Sequence, residues 1–220
     1  MEKIPVYFMP GMAASPKIFE NIALPEDKFE MFFLEWLLPF DNESLTEYAK
    51  RIAQNIKHEN PVLIGVSFGG LIVQEVSKII KARKVIIISS VRSCLEFPRR
   101  MRFAKMTHAY RIFPTRLMER VDWLAKFSYG NNMITRRLNL YEKFLSVRDK
   151  KYLDWAFEKI IRWERTEPDE AVIHIHGEND EVFPSKYIKN FIPVKGGTHI
   201  MILNKAKWLN ENLPRLILEE

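Results

Sequence analysis

Apolar residues fall along this chain in short continuous runs separated by stretches of helical periodicity. Ile4 to Met9 is a run of β-formers, closed by Pro10-Gly11 and a loop of small residues, Met12-Ala13-Ala14-Ser15. Phe29 to Trp36 reads as a second strand, Val62 up to Ser67 as a third, and Lys84 to Ser90 as a fourth, with Val85-Ile86-Ile87-Ile88 continuously apolar. Between them, Ile18, Phe19 and Ile22 suggest a short helix. Leu45, Ala49, Ile52, Ala53 and Ile56 form one helical face behind the capping box Ser44-Leu45-Thr46-Glu47. After Ser67, Leu71, Ile72, Val73, Val76, Ile79 and Ile80 continue at helical spacing to about Lys81. Fully apolar strands alternating with helices predict a parallel sheet covered on both faces.

The alternation stops after the fourth strand. Residues 92–150 hold no strand-like run. Phe103, Met106, Tyr110 and Phe113 share a helical face, Leu117, Val121 and Leu124 continue it, and Leu138, Tyr141 and Leu145 suggest another helix. Leu153, Phe157, Ile160 and Ile161 then mark a helix returning to the core, before a strand at Ala171–His176 and a last one at Phe191–Lys195. Ile200, Met201, Leu203, Trp208, Leu209 and Leu213 lie in a terminal helical region. The expectation is one α/β domain over residues 1–220 with a mostly parallel, six-stranded sheet and helices on both faces. Its core is 1–91 and 151–220, with a helical insertion at about 92–150.

Charge changes this picture in one place. The chain carries a formal +6, yet residues 92–150 hold fourteen Lys/Arg against five Asp/Glu, a net +9, so the rest carries −3. The basic character belongs to the insertion. The other compositional features are those of an ordinary soluble globular protein, with 47% apolar and 28% charged residues. The single cysteine, Cys94, allows no internal disulfide and no cysteine-based metal cluster. The N-terminal apolar run is too short for a secretory signal and no stretch approaches membrane-spanning length, so the expected location is cytoplasmic.

Candidate chemistry gathers just past the strand ends. Gly65-Val66-Ser67-Phe68-Gly69 fits G-x-S-x-G between an apolar strand and a helix. The spacing has a steric cause: a tight strand-to-helix turn lifts the serine hydroxyl above the sheet, and the residues around it must be small where strand and helix nearly touch. The helix N-terminus then faces the serine, where negative charge would develop. Asp180 and His199 also follow strands, in Gly177-Glu178-Asn179-Asp180 and Gly196-Gly197-Thr198-His199. A serine needs a base to lose its proton near neutral pH, and a histidine base needs a carboxylate to fix its tautomer. Glu178 and Glu181 are rival acids; the Gly-x-x-Asp spacing and the following Pro184 favour Asp180.

With Gly65-Val66-Ser67-Phe68-Gly69-Gly70, His176-Gly177-Glu178-Asn179-Asp180 with Pro184, and Gly196-Gly197-Thr198-His199 in the order Ser, Asp, His, the sequence resembles the α/β-hydrolase superfamily over nearly its full length. The resemblance implies a nucleophile at Ser67, an acid at Asp180, a base at His199, and an oxyanion hole from the backbone N–H groups of Met12 and Phe68. It implies a serine hydrolase acting on an ester or thioester with neither metal nor organic cofactor. The alternative is a non-hydrolytic member, a lyase using the triad as a proton shuttle or a small-ligand receptor. The chain departs from the family in having Pro10-Gly11 where His-Gly is frequent.

The insertion sits where that family carries its lid. Its clusters Arg99-Arg100 and Arg136-Arg137 are candidates for meeting an anionic substrate or an anionic membrane surface, against the plainer reading of a solvated basic face. No nucleic-acid-binding motif accompanies the charge. His174 and His176 share a strand face, but no third ligand accompanies them, so they read as strand histidines rather than a metal pair.

Overall fold

A computed structural model of the chain describes residues 2–108, 144 and 147–219. Its strands are β1 (Ile4–Met9), β2 (Phe29–Phe33), β3 (Val62–Val66), β4 (Lys84–Ile88), β5 (Ile173–Gly177) and β6 (Ile192–Val194). They form one six-stranded sheet in the order β2-β1-β3-β4-β5-β6, and every neighbouring pair is parallel. Among the described residues, the α-helices with described bounds are α1 (Leu45–Ala53), α2 (Phe68–Val76), α3 (Arg99–Thr107), α4 (Lys150–Arg162), α5 (Met201–Asn204) and α6 (Ala206–Leu218).

Side chains alternate across each strand, so burial of successive residues requires cover on both faces. Tyr7, Met9, Leu63, Val85 and Ile87 pack in one cluster with residues of α1, α2 and α4, among them Tyr48, Ile52, Leu71, Ile72, Tyr152 and Trp155. Val6, Phe8, Val62, Ile64, Ile86, Ile88 and Ile175 pack in the other, against Ile18 and Phe19 and against Leu209, Leu213 and Ile217 of α6. The capping box forms as the sequence predicts: Ser44 Oγ accepts from the Glu47 N–H at 3.2 Å and the Glu47 carboxylate accepts from the Ser44 N–H at 2.8 Å.

Several ends differ from their predicted positions. β2 stops at Phe33, not Trp36, because its partner β1 ends at Met9 before Pro10. β4 stops at Ile88, where Ser89 turns into the left-handed region at φ 50°. The short helix expected around Ile18 and Phe19 is a 3-10 helix, Pro16–Phe19, which ends before Ile22. α2 ends at Val76 and continues only as turns, leaving Ile79 39% exposed. Of the insertion, α3 is described, and Phe103 and Met106 are exposed on it among the described residues. Tyr110, Phe113, Leu117, Val121, Leu124, Leu138, Tyr141 and Leu145 lie outside the described residues. No helix among the described residues is long and apolar enough to cross a membrane.

The topology positions the site. The chain passes from β1 outward to β2, then returns to place β3 on the other side of β1. The carboxyl ends of β1 and β3 therefore flank the point where the winding reverses, the place where open α/β sheets form a crevice. Met12 follows β1 and Ser67 follows β3.

Candidate active site

Ser67 sits at φ 53°, ψ −119°, a conformation that few non-glycine residues adopt and that persists only when the surroundings dictate it. Here the surroundings do. A Cβ on Gly65 would stand 2.3 Å from the Gly69 carbonyl oxygen, and one on Gly69 would stand 2.4 Å from the carbonyl oxygens of Met9 and Pro10. Strand β3, helix α2 and the end of β1 thus touch backbone to backbone. The turn is also tied across the sheet: the Ser67 N–H donates to the Ile88 carbonyl at 2.9 Å, and Ser90 Oγ donates to the Ser67 carbonyl at 2.8 Å.

The loops after β5 and β6 close on the serine. Gly177 and Gly197 lie so close that a Cβ on Gly177 would meet the Gly197 carbonyl oxygen at 2.4 Å. This contact brings His199 over the sheet edge beside Asp180. His199 Nδ1 stands 2.9 Å from Asp180 Oδ2, and His199 Nε2 stands 2.9 Å from Ser67 Oγ. A carboxylate only accepts, so Nδ1 carries the histidine proton and Nε2 is left to accept from the serine hydroxyl.

Asp180 is only 3% exposed. Burial pushes its carboxyl up, but the charge and hydrogen bond of His199, the Phe183 N–H and the nearby His176 outweigh that, and the carboxyl sits below its ordinary value. Its Oδ1 accepts from the N–H groups of Val182 at 2.8 Å and Phe183 at 2.9 Å, leaving Oδ2 for the histidine. The rival acids do other things. Glu178 accepts from the Gly196 N–H at 3.3 Å, and Glu181 is exposed.

A second histidine lies behind the acid, and the sequence reading gave it no part there. His176 Nε2 stands 2.8 Å from the Phe183 carbonyl oxygen and 3.5 Å from Asp180 Oδ2. The carbonyl can only accept, so Nε2–H is the donor, and the bare Nδ1 accepts from His174 Nε2 at 3.1 Å. Burial lowers the pKa of both rings, with Asp180 and the Phe183 carbonyl opposing at His176. His176 therefore supports the acid loop as a neutral ring. Its place four residues before the aspartate, at the end of a strand, was the available signal. Among the described residues, no group of three or more His, Cys, Asp or Glu side chains is placed to hold a metal ion.

No protein-family model matches the chain, and no curated protein matches it. Solved structures do match. An esterase from Exiguobacterium antarcticum is 16% identical, with 99% of this chain and 93% of that one covered at a TM-score of 0.65. A bromoperoxidase from Bacillus anthracis is 17% identical, covering 100% and 93% at 0.62. An α/β-hydrolase-fold protein from Burkholderia ambifaria is 14% identical, covering 96% and 90% at 0.64.

The chain has the α/β-hydrolase fold.

Within this α/β-hydrolase fold, Phe68 is the first residue of α2 and Met12 follows β1 beside it. Neither backbone N–H has a hydrogen-bond partner among the described residues. Gly11 is adjacent to Ser67, since a Cβ built on it would lie 3.5 Å from Ser67 Cβ. The arrangement thus lines up a hydroxyl, an imidazole and a buried carboxylate beside two unspent backbone donors, that of Phe68 at the N-terminus of α2 and that of Met12 in the loop after β1. The four candidate arginines separate. Arg100 turns back onto the acid loop, donating to the carbonyls of Glu181 at 2.6 Å and Val182 at 3.0 Å. Arg99 is exposed, and Arg136 and Arg137 lie outside the described residues.

Proposed function

We propose that this protein is a serine hydrolase that cleaves a carboxylic ester or thioester through an acyl-enzyme intermediate. The observation that carries the reading is the unbroken chain Ser67 Oγ to His199 Nε2 to His199 Nδ1 to Asp180 Oδ2, with 2.9 Å at each polar contact. Ser67 Oγ attacks the substrate carbonyl carbon while His199 Nε2 takes the hydroxyl proton. The carbonyl oxygen becomes an oxyanion and receives the Met12 and Phe68 N–H groups. Collapse breaks the bond to the leaving group, and His199 hands its proton to the departing alcohol or thiol. A water then gives a proton to His199 and attacks the acyl carbon. The second collapse releases the carboxylic acid and returns the proton to Ser67. Asp180 keeps its negative charge throughout and stabilises the imidazolium that forms twice per turnover.

A serine-directed fluorophosphonate tests this reading. One adduct on Ser67 is expected by peptide mapping, and none on a folded Ser67→Ala variant. A folded wild-type protein that takes up no label at Ser67 would overturn the reading and favour a non-hydrolytic use of the fold.

A further inference from the structure

The loop after β1 holds an aromatic arrangement that the reaction scheme does not by itself require. Trp36 follows β2 and is 8% exposed, and Tyr152 on α4 is fully buried. The Trp36 indole Nε1–H donates to the Gly11 carbonyl at 2.9 Å. The Tyr152 hydroxyl accepts from the Ala13 N–H at 3.2 Å. The Trp36 ring also stacks on Phe68, with centroids 5.1 Å apart and planes 8° from parallel.

These contacts fall on successive peptide units. The Gly11 carbonyl and the Met12 N–H belong to one planar unit, in which C=O and N–H point in opposite directions when the bond is trans. The chain contains no cis peptide bond among the described residues. Fixing the Gly11 oxygen therefore fixes the direction of the Met12 N–H. The next unit carries the Ala13 N–H, which Tyr152 holds. Ala13 itself lies at φ 63°, a left-handed conformation that needs such support outside glycine. The Ala14 N–H closes the turn onto the same Gly11 oxygen at 3.0 Å. A peptide flip at Gly11–Met12 would break both bonds to that oxygen and present a carbonyl where the oxyanion needs a donor.

We infer that Trp36 and Tyr152 are positioning residues that set the oxyanion loop, holding the two peptide units on either side of Met12 so that its N–H faces the reacting carbonyl. This rests on the hydrolase reading above. Trp36 holds both donors at once, since its N–H fixes the Met12 unit while its ring packs on Phe68. An indole N–H only donates, so no alternative protonation state can invert this contact.

Trp36→Phe tests it by removing the N–H while keeping a ring against Phe68. With p-nitrophenyl acetate, kcat is expected to fall on the order of ten- to a hundred-fold, short of the loss that follows deletion of an oxyanion donor. KM should stay within about two-fold, because the lost interaction acts only on the transition state. The second-order rate of fluorophosphonate labelling at Ser67 should fall with kcat. Tyr152→Phe, which leaves the Ala13 N–H unpaired, should act in the same direction and less strongly, and it carries the test if Trp36→Phe fails to fold. Folded variants with wild-type kcat, or a loss expressed wholly in KM, would overturn the inference while leaving the hydrolase reading intact. A wild-type protein with neither ester turnover nor labelling at Ser67 would overturn both.

Discussion

Helices α2 and α3 are each nine residues long, and they are held by opposite means. All nine residues of α2 are buried, whereas none of α3 is. Helix α2 is buried on every side, Gln74 and Glu75 included, and lies between the sheet and other helices, so its position is fixed by packing and by the glycine contacts at its start. Helix α3, the first of the basic insertion, is held at its surface by cations on backbone carbonyls: Arg100 on Glu181 and Val182, and Lys105 on Trp163 at 3.3 Å. The difference separates two tasks. The buried helix fixes the turn that carries Ser67. The exposed helix is attached by these surface contacts and by Met101, which packs against the core.

The largest effect is expected at the acid loop, where the two regions meet. Asp180→Asn should present the wrong histidine tautomer and lower kcat by roughly 10⁴-fold, with the fold retained. Glu178→Gln and Glu181→Gln should cost far less; steady-state kinetics on all three distinguishes them. Next comes the start of α2. Gly69→Ala would drive a Cβ to 2.4 Å from two carbonyl oxygens, and backbone cannot yield as a side-chain rotamer can. A loss of about 3 kcal/mol or more in denaturant unfolding is expected.

Titration probes β5, the strand that leads into the acid loop. His174 and His176 have pKa values below their ordinary one, so between the folded and unfolded pKa the unfolded chain binds more protons. Stability should therefore fall as pH drops below about 6.5, by up to about 1.4 kcal/mol per pH unit for each ring. His174→Gln should flatten this limb in unfolding curves taken from pH 7 to 5. Asp180, with its pKa lowered, contributes stability above the unfolded carboxyl pKa of about 3.9, lost as pH falls through the lower folded value. The smallest effects belong to α3. Arg100→Gln should cost under about 1 kcal/mol, since its contacts are exposed. Arg99→Gln should lower kcat/KM for an anionic ester by no more than about two-fold, and only at low salt, because its field is screened within about 8 Å at physiological ionic strength. An equal response from a neutral ester would return the basic face to plain solvation.

The same contrast explains what could be read from sequence. Strands buried on both faces leave continuous apolar runs, so β1, β3 and β4 and the parallel sheet were legible from Ile4–Met9, Val62–Val66 and Lys84–Ile88. That Ser67, Asp180 and His199 would meet could be expected because each follows a strand end in a glycine-marked turn, and the three side chains do lie in contact. The end of β2 was not legible, because it depends on where its partner stops. Trp36, Tyr152 and His176 were missed as well. Each acts through a contact with a residue far along the chain or across a turn, Gly11, Ala13 and Phe183, and a single apolar or strand residue carries no periodic mark of such a partner.

The most direct measurement is p-nitrophenyl acetate hydrolysis by purified Ser67→Ala beside the wild type, with circular dichroism and thermal unfolding on both. A triad acting as a unit gives a loss on the order of 10⁵-fold or more in kcat with the fold unchanged. A folded Ser67→Ala protein that hydrolyses the ester at a rate comparable to the wild type would contradict the assignment of Ser67 as nucleophile.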